Sequence, residues 1–432
     1  MPDLCPEKRP AGITDTETLK ALLQALAAEP LSDSFLSERL PELQRILAEQ
    51  SERYPAMTEQ DVQKLCFQSL FGGGHLIADE AACFNALKAE WLEITSDGHF
   101  HAPAAAEPIG GGHCRFPLCA VSSDKQDGGR PADSKAANGK AANGKEAAKT
   151  SQVKTDCKQT KTDYKQTKLE AQLRALCRLF AASASLTQKR NQALSLSPAL
   201  PPVHHSEAFR AAYRPAYRVL RCELLPLLLL LSAIEFSLSR QKLTVLAIDG
   251  MCGAGKTSLA AFLHSVYGCS IIHADDFFLP PELRTDERLH EPGGNIHYER
   301  LQEEVISPLL QLKKKQQKKK PEMEAKPSDS ASQPHLCYRR FSCSRMAYEK
   351  EPVSVSLTPL LIVEGSYCQR PEFREAYDLC IFLSCSEETQ KTRILNRNGA
   401  EMLRAFQEKW IPMETRYFSY FQIPAHADFR FS

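Results

Sequence analysis

The chain has 432 residues, 25% charged and 43% hydrophobic, the balance of a globular protein and not of a disordered, collagen-like or membrane chain. Its 54 basic and 53 acidic residues leave a formal net charge of +1, which excludes a whole-molecule field that would draw it onto nucleic acid or anionic lipid. At about 150 residues per domain, the length fits two or three domains.

The 15 cysteines are scattered and no pair has C-x-x-C spacing, so reduced thiols in a cytoplasm are expected, not a disulfide framework or a zinc site. The N-terminal stretch MPDLCPEKRPAGITDTETLK lacks the apolar core of a signal peptide. The longest apolar run, Leu224 to Phe236, is interrupted by Pro226 and Glu235. It falls short of the about 20 residues that a bilayer span needs. No membrane and no nucleic acid are expected as partners, and the oligomeric state is left open.

In chain order, TETLKALLQALA, LSERLPELQRILAEQ and TEQDVQKLCFQSLF repeat apolar residues at helical spacing. FGGGHLI and IGGGHCR then share a G-G-G-H core, with Glu107 just before the second. Glycine triplets allow close backbone approach, so His75 and His113 are candidates for an anion or a metal, although satisfied histidines in tight turns explain the pattern as well. From Val121 to Lys168 the chain carries tandem KAANG and KTDCKQT/KTDYKQT repeats, poor in large apolar residues, and reads as a disordered insertion. KLEAQLRALCRLFAASA resumes the helical period, and PAYRVLRCELLPLLLLLSAIEFSLSR carries it to about Arg240. Residues 1–240 thus read as one mainly helical domain.

From Lys242 the texture changes: LTVLAID reads as a buried strand, KTSLAAFLHSV as a helix and SIIHAD as a second strand, a βαβ unit that implies a parallel sheet. Lys313 to His335, KKKQQKKKPEMEAKPSDSASQPH, reads as a disordered lysine-rich loop inserted into this domain, because its like charges repel. LLIVEG and LCIFLSC are two further buried strands, the latter followed by the helix EETQKTRILNR. The expected fold is therefore a mainly helical domain, 1–240, followed by an α/β P-loop domain, 241–432.

Gly250-Met251-Cys252-Gly253-Ala254-Gly255-Lys256-Thr257 satisfies G-x-x-x-x-G-K-[ST] and lies between a strand and a helix, as that motif requires. Backbone N–H groups of such a loop close around phosphate oxygens, and the helix adds the positive end of its dipole. Lys256 is expected to reach the β- and γ-phosphates of ATP, and the Thr257 hydroxyl to ligate Mg²⁺. Glu364 ends the strand LLIVE, where a carboxylate faces the ligand crevice and can serve the same Mg²⁺. Asp275 and Asp276 follow the strand SIIHA, where one of them can orient or deprotonate an acceptor hydroxyl.

These blocks, with HADDFFLPPELRTDERLHEPGGNIHYERLQEEV, YRRF and IFLSCSEETQKTRILNRNG, resemble the uridine kinase-like branch of P-loop kinases, which includes nicotinamide riboside kinases and phosphoribulokinases. The resemblance covers about Lys242 to Ser432. It implies a five-stranded parallel sheet flanked by helices, a lid, and transfer of the ATP γ-phosphate to a hydroxyl of a small molecule. By that resemblance Asp275 is the catalytic base, Glu364 helps to hold Mg²⁺, and Arg393 and Arg397 are lid arginines that neutralise the transferring phosphoryl group. Where the family carries an aspartate that grips ribose hydroxyls, this chain has His297. Arg284, Arg288 and Tyr298, and after the lysine-rich segment Tyr338 and Arg339, fall where acceptor contacts are expected. A nucleoside, a non-nucleoside vitamin or sugar, and a non-catalytic ATP switch all remain open on the sequence.

Overall fold

The computed structural model describes residues 15–73, 81, 83–88, 106–117, 147–213, 215, 217–318 and 334–432. The chain divides into two compact units, Met1–Phe236 and Ser237–Ser432.

The first unit opens with α1 (Thr16–Leu26), α2 (Asp33–Arg53) and α3 (Glu59–Phe71). Asp15 caps α1 by accepting from Thr18 N (2.9 Å), and Ser32 caps α2 by accepting from Phe35 N (3.2 Å). Leu19, Leu23 and Leu26 of α1 share one buried face with Leu36, Leu40, Leu43 and Leu47 of α2 and with Val62, Leu65 and Leu70 of α3. The structure adds an element that the helical reading overlooked. β1 (Glu107–Gly110), β2 (His113–Pro117) and β3 (Tyr217–Arg221) form an antiparallel sheet in that order. Gly111 and Gly112, with φ of +62° and +74°, make the two-residue β1–β2 turn. A Cβ on Gly111 would sit 2.0 Å from Ser69 O, so the turn needs glycine there. The G-G-G-H block is thus a hairpin, and Tyr217–Arg221 is a strand because its tyrosine and valine suit a pleated surface better than a helix.

The repeat segment also differs from the expectation. Residues 118–146 lie outside the described residues, but 147–168 form the first part of α4 (Ala147–Ala193) and are not a disordered insertion. Low apolar content denies this stretch a core, yet from Ala147 on it has neither proline nor glycine. Its alanine, lysine and glutamine extend a helix whose later turns bury Leu173, Leu176 and Leu179. After α5 (Glu207–Tyr213), the apolar run Leu224–Phe236 begins as a short 3₁₀ segment and continues as α6 (Leu228–Leu238). No helix among the described residues is long and apolar enough to cross a membrane.

The second unit is a five-stranded parallel sheet flanked by helices, an α/β P-loop fold. β4 (Thr244–Gly250), β5 (Ser270–His273), β10 (Leu360–Glu364), β11 (Leu379–Leu383) and β12 (Phe429–Phe431) lie in the order β12-β11-β4-β10-β5. Between β5 and β10, β6 (His335–Tyr338) pairs with β9 (Val353–Ser356), and β7 (Phe341–Ser342) with β8 (Ala347–Tyr348). Every residue of β4 is buried, as a strand covered on both faces requires: Val245 and Ala247 join one core with Ile272, Leu361 and Val363, while Leu246 and Ile248 are fully covered on the other side. The register sets Glu364 beside Ile248 and His273, and Leu383 beside Gly250, so the carboxyl ends of β4, β5, β10 and β11 form one edge. The flanking helices used below are α7 (Lys256–Tyr267), α8 (Ser307–Lys318), α9 (Glu387–Ala405) and α10 (Ile411–Tyr420). α8 takes in the start of the expected lysine-rich insertion. Within it Lys313 donates to Ala376 O (2.8 Å) and Asp378 Oδ2 (2.7 Å), and residues 319–333 of the expected insertion lie outside the described residues.

Candidate active site

The P-loop leaves β4 at Gly250, whose φ is +143° and whose missing Cβ would lie 2.1 Å from Leu383 O. Only glycine lets β4 and β11 end this close. Gly253 and Gly255, at φ +74° and +99°, complete the turn into α7. A cleft of about 800 Å³ opens above this sheet edge, and Cys252 to Thr257 form its floor. Gly250 and Met251 support the loop from behind: their carbonyls accept from Lys256 Nζ at 2.7 and 3.0 Å, and Ser366 Oγ accepts a third bond at 3.0 Å. The ammonium is thereby held over the loop it must serve.

Thr257 Oγ1 lies 3.3 Å from both oxygens of Glu364, so a hydroxyl and a carboxylate from α7 and β10 meet at the cleft floor. Among the described residues no three histidine, cysteine, aspartate or glutamate side chains are grouped to hold a metal. A hard cation here would take Thr257 and Glu364 and complete its shell with phosphate oxygens and water, as Mg²⁺ does in nucleotide sites. His273, at the end of β5, places Nδ1 2.5 Å from Glu364 Oε1, and that bond raises its pKa above the ordinary imidazole value.

Asp275 lies just beyond β5 and faces the cleft. It is open to solvent on the cleft side, yet the protein packed around it pushes its carboxyl above the ordinary aspartate value, against the pull of Lys256. Asp276 points the other way: it is buried, accepts from the Tyr338 hydroxyl (2.9 Å) and pairs with Arg340 (2.9 Å). The two adjacent aspartates are therefore separated, one toward the cleft and one into the scaffold with Tyr338.

Of the expected acceptor contacts, Arg284 lines the cleft with Phe278, Leu289, Asn295 and Cys343. Arg288, His297, Tyr298 and Arg339 do not line it. Arg288 is engaged by Glu291 and Glu299, and His297 Nδ1 sits 3.2 Å from Glu299. Tyr298 is buried with its hydroxyl toward Tyr367 O (3.3 Å), and Arg339 donates to Glu349 O (3.2 Å). On the opposite wall Arg393 and Arg397 of α9 line the cleft, with Arg393 donating to Gly253 O (2.9 Å). Gly399, at φ +82°, breaks α9 between Arg397 and Met402, and the chain beyond it brings Phe406 and Trp410 to the cleft rim.

With this geometry in place, comparison finds structural neighbours for the C-terminal unit. A protein described as a possible uridine kinase from Bacillus stearothermophilus matches at 20% identity over 47% of this chain and 99% of its own, with a TM-score of 0.31. A provisionally assigned fructose transport system kinase from Silicibacter sp. TM1040 matches at 19% identity over 45% and 92%, with a TM-score of 0.32. No family model and no curated protein matches the sequence. The P-loop fold stated above rests on the chain's own parallel sheet and P-loop.

Three groups that support the P-loop, Glu414, Ser366 and Asp249, escaped the sequence reading. Glu414 of α10 is buried and accepts from Cys252 N (2.9 Å) and from Ser366 Oγ (2.5 Å). Ser366 in turn holds Lys256, so a carboxylate 158 positions from the lysine completes its seat. Asp249, fully buried at the end of β4, accepts from the N–H groups of Gly250, Tyr367 and Gln369 and from the Tyr417 hydroxyl. Burial nevertheless pushes it up to about 6. Asp249 was visible as the aspartate before the P-loop, whereas Glu414 lies in a helix whose sequence carries no motif.

In the first unit, His75 lies outside the described residues. His113 is buried in β2 and shares a hydrogen bond with Thr187 Oγ1 (3.0 Å). Burial and the charges of Arg190 and Arg221 push it down to about 3, so it stays neutral. Glu107 is paired with Arg53 (2.6 Å) and Arg115 (2.8 Å). Glu107 is thereby satisfied by its two arginines, while the buried His113 Nδ1 has no hydrogen-bond partner among the described residues.

Proposed function

We propose that the C-terminal unit binds ATP with Mg²⁺ and transfers the γ-phosphate to a hydroxyl of a small molecule. The observation that carries this reading is the placement of Asp275 on the same cleft as the P-loop lysine, with Glu364 and Thr257 between them at the sheet edge. In-line transfer needs an oriented nucleophile and charge neutralisation more than covalent chemistry. Asp275 accepts the proton of the acceptor hydroxyl as its oxygen bonds to the γ-phosphorus. The bond from that phosphorus to the β–γ bridging oxygen breaks, and ADP leaves. The P-loop N–H groups and Lys256 hold the phosphates, and Arg393 and Arg397 approach them from α9. Thr257 and Glu364 would hold Mg²⁺, which would supply charge neutralisation to the transferring phosphoryl group.

A non-nucleoside acceptor is a second reading favoured by one observation. His297, which stands where the resembled family grips ribose, is turned to Glu299 and does not line the cleft. We place the reaction in the cytoplasm, where ATP is supplied and thiols such as Cys252 and Cys343 at the cleft stay reduced. The test is ADP release from the full chain with Mg²⁺ and ATP across a panel of hydroxyl metabolites. Acceleration by one class of acceptor, abolished by chelating the metal, is the expected result. Tight ATP binding that no acceptor converts into turnover would replace this reading with a nucleotide-controlled switch.

A further inference from the structure

The acceptor wall of the cleft contains a cation, Arg284, that no carboxylate of the described residues neutralises. Arg284 donates from Nε to Leu279 O (2.8 Å), and its guanidinium lies 5.9 Å from the centre of the Phe341 ring. These contacts fix the plane of the fork and leave its two terminal nitrogens for the cleft, which the residue lines. Nearby arginines are committed to carboxylates: Arg288 to Glu291 and Glu299, Arg300 to Glu304, and Arg340 to Asp276. Arg284 has no carboxylate partner among the described residues. A guanidinium that is half-buried and pre-oriented, yet lacks a protein anion, is suited to bidentate capture of a carboxylate or phosphate.

Its location ties that anion to the acceptor. Asp275, Arg284 and Cys343 all line this one cleft. The remaining groups on that wall are Phe278, Leu289, Met346 and Asn295, with no acid besides Asp275. The other lining carboxylates, Glu364 and Glu414, belong to the P-loop end. A neutral polyol could accept hydrogen bonds from the guanidinium but would leave its charge without a counterion.

We infer that the phosphate acceptor is an anionic hydroxyl compound, whose carboxylate or phosphomonoester is held by Arg284 while its hydroxyl faces Asp275. This rests on the phosphotransferase reading, and two measurements separate the failure of one from the failure of the other. The first is calorimetric binding to the full chain loaded with Mg²⁺ and ADP, using glycerol against glycerate and ribose against ribose 5-phosphate. The second is ADP release with the same four probes. At least one anionic probe is expected to bind about 10-fold more tightly than its neutral counterpart, and the pair that responds tells carboxylate from phosphate. Arg284→Gln should erase that preference and leave KM for ATP unchanged, while Arg284→Lys, which keeps the charge but loses the fork, should fall between. Equal binding of neutral and anionic members, no binding by either anion, or an Arg284→Gln effect confined to ATP would overturn the inference. Anion binding lost in Arg284→Gln without any ADP release would uphold it and remove the phosphotransferase reading instead.

Discussion

At the scale of single residues, the cleft works by giving like groups unlike surroundings. Asp275 and Asp276 are neighbours in sequence, yet one faces the cleft and the other is spent on Tyr338 and Arg340. Burial raises both, but only Asp275 is free to take a proton from a ligand. A general base works only when deprotonated, so the acid limb of kcat/KM should lie above the 3.8 of an ordinary aspartate. Asp275→Asn should retain ATP binding, lose at least about 10²-fold in rate and lose that acid limb, as pH–rate profiles of the two proteins would show. An unchanged limb in the variant would assign the base to another group. The P-loop glycines and Asp275 were readable in the sequence because each answers a local demand, a backbone that only glycine can follow or a carboxylate at a strand end. Asp276, Tyr338 and Arg288 matched the same pattern equally well, and only the direction of their side chains, set by packing, separates them from the cleft.

At the scale of elements, α10 is joined to the P-loop through Glu414. Its carboxylate accepts from Cys252 N and Ser366 Oγ, and Ser366 accepts from Lys256. Glu414→Ala removes the acceptor of the half-buried Cys252 N and leaves Ser366 Oγ with only Gly250 O (3.2 Å), at a cost of about 2 kcal/mol. It should lower kcat/KM for ATP at least about 10-fold, whereas Glu414→Gln, whose single amide oxygen can still accept from Cys252 N while its NH2 donates to Ser366 Oγ, should recover part of that loss. Recovery by glutamine in kinetics, with both variants equally folded by circular dichroism, separates positioning of the lysine from simple stability. In the first unit, Asp61 joins α3 to the segment before α5, accepting from Thr58 N (3.0 Å), Ser206 N (3.0 Å) and Ser206 Oγ (2.6 Å), and pairing with His205 (2.7 Å). Burial opposes its charge, but the bonds from Ser206, Thr58 and His205 prevail and hold the carboxyl at about 2. Because the folded value lies below the unfolded 3.8, its contribution is full above 3.8 and is lost as pH falls through about 2. Asp61→Asn should cost about 3 kcal/mol at neutral pH and flatten the acid side of the stability curve in thermal melts. The helices and buried strands were legible from periodicity, and the β1–β2–β3 sheet was not. Its strands are four or five residues long and its third member follows about 100 residues after the second, so a helical period read across them looked continuous.

At the scale of the whole molecule, the formal charge of +1 hides a division of labour along the chain. Residues 121–168 carry 11 basic and 6 acidic side chains, and residues 313–335 carry 7 and 3, so the rest of the chain is net acidic, at −8. Against that acidic background Lys256, Arg284, Arg393, Arg397 and Lys409 converge on one cleft, which makes it a local attractor for anions that the overall charge gives no sign of. The two units each enclose their own core, and every residue of the proposed chemistry lies in the second. Over 147–168 the compositional reading fails for a physical reason: low apolar content predicts the lack of a core, not the lack of a helix, and these residues extend one that is packed further along. The central claim is that this cleft moves the γ-phosphate of ATP, and Lys256 is the group on which that claim depends most directly. Magnesium-dependent ADP formation by the full chain, measured beside Lys256→Ala at matched fold, tests it: the account requires loss of turnover in the variant with an unaltered melting temperature, and a Lys256→Ala protein that turns over ATP at the parental rate would contradict it.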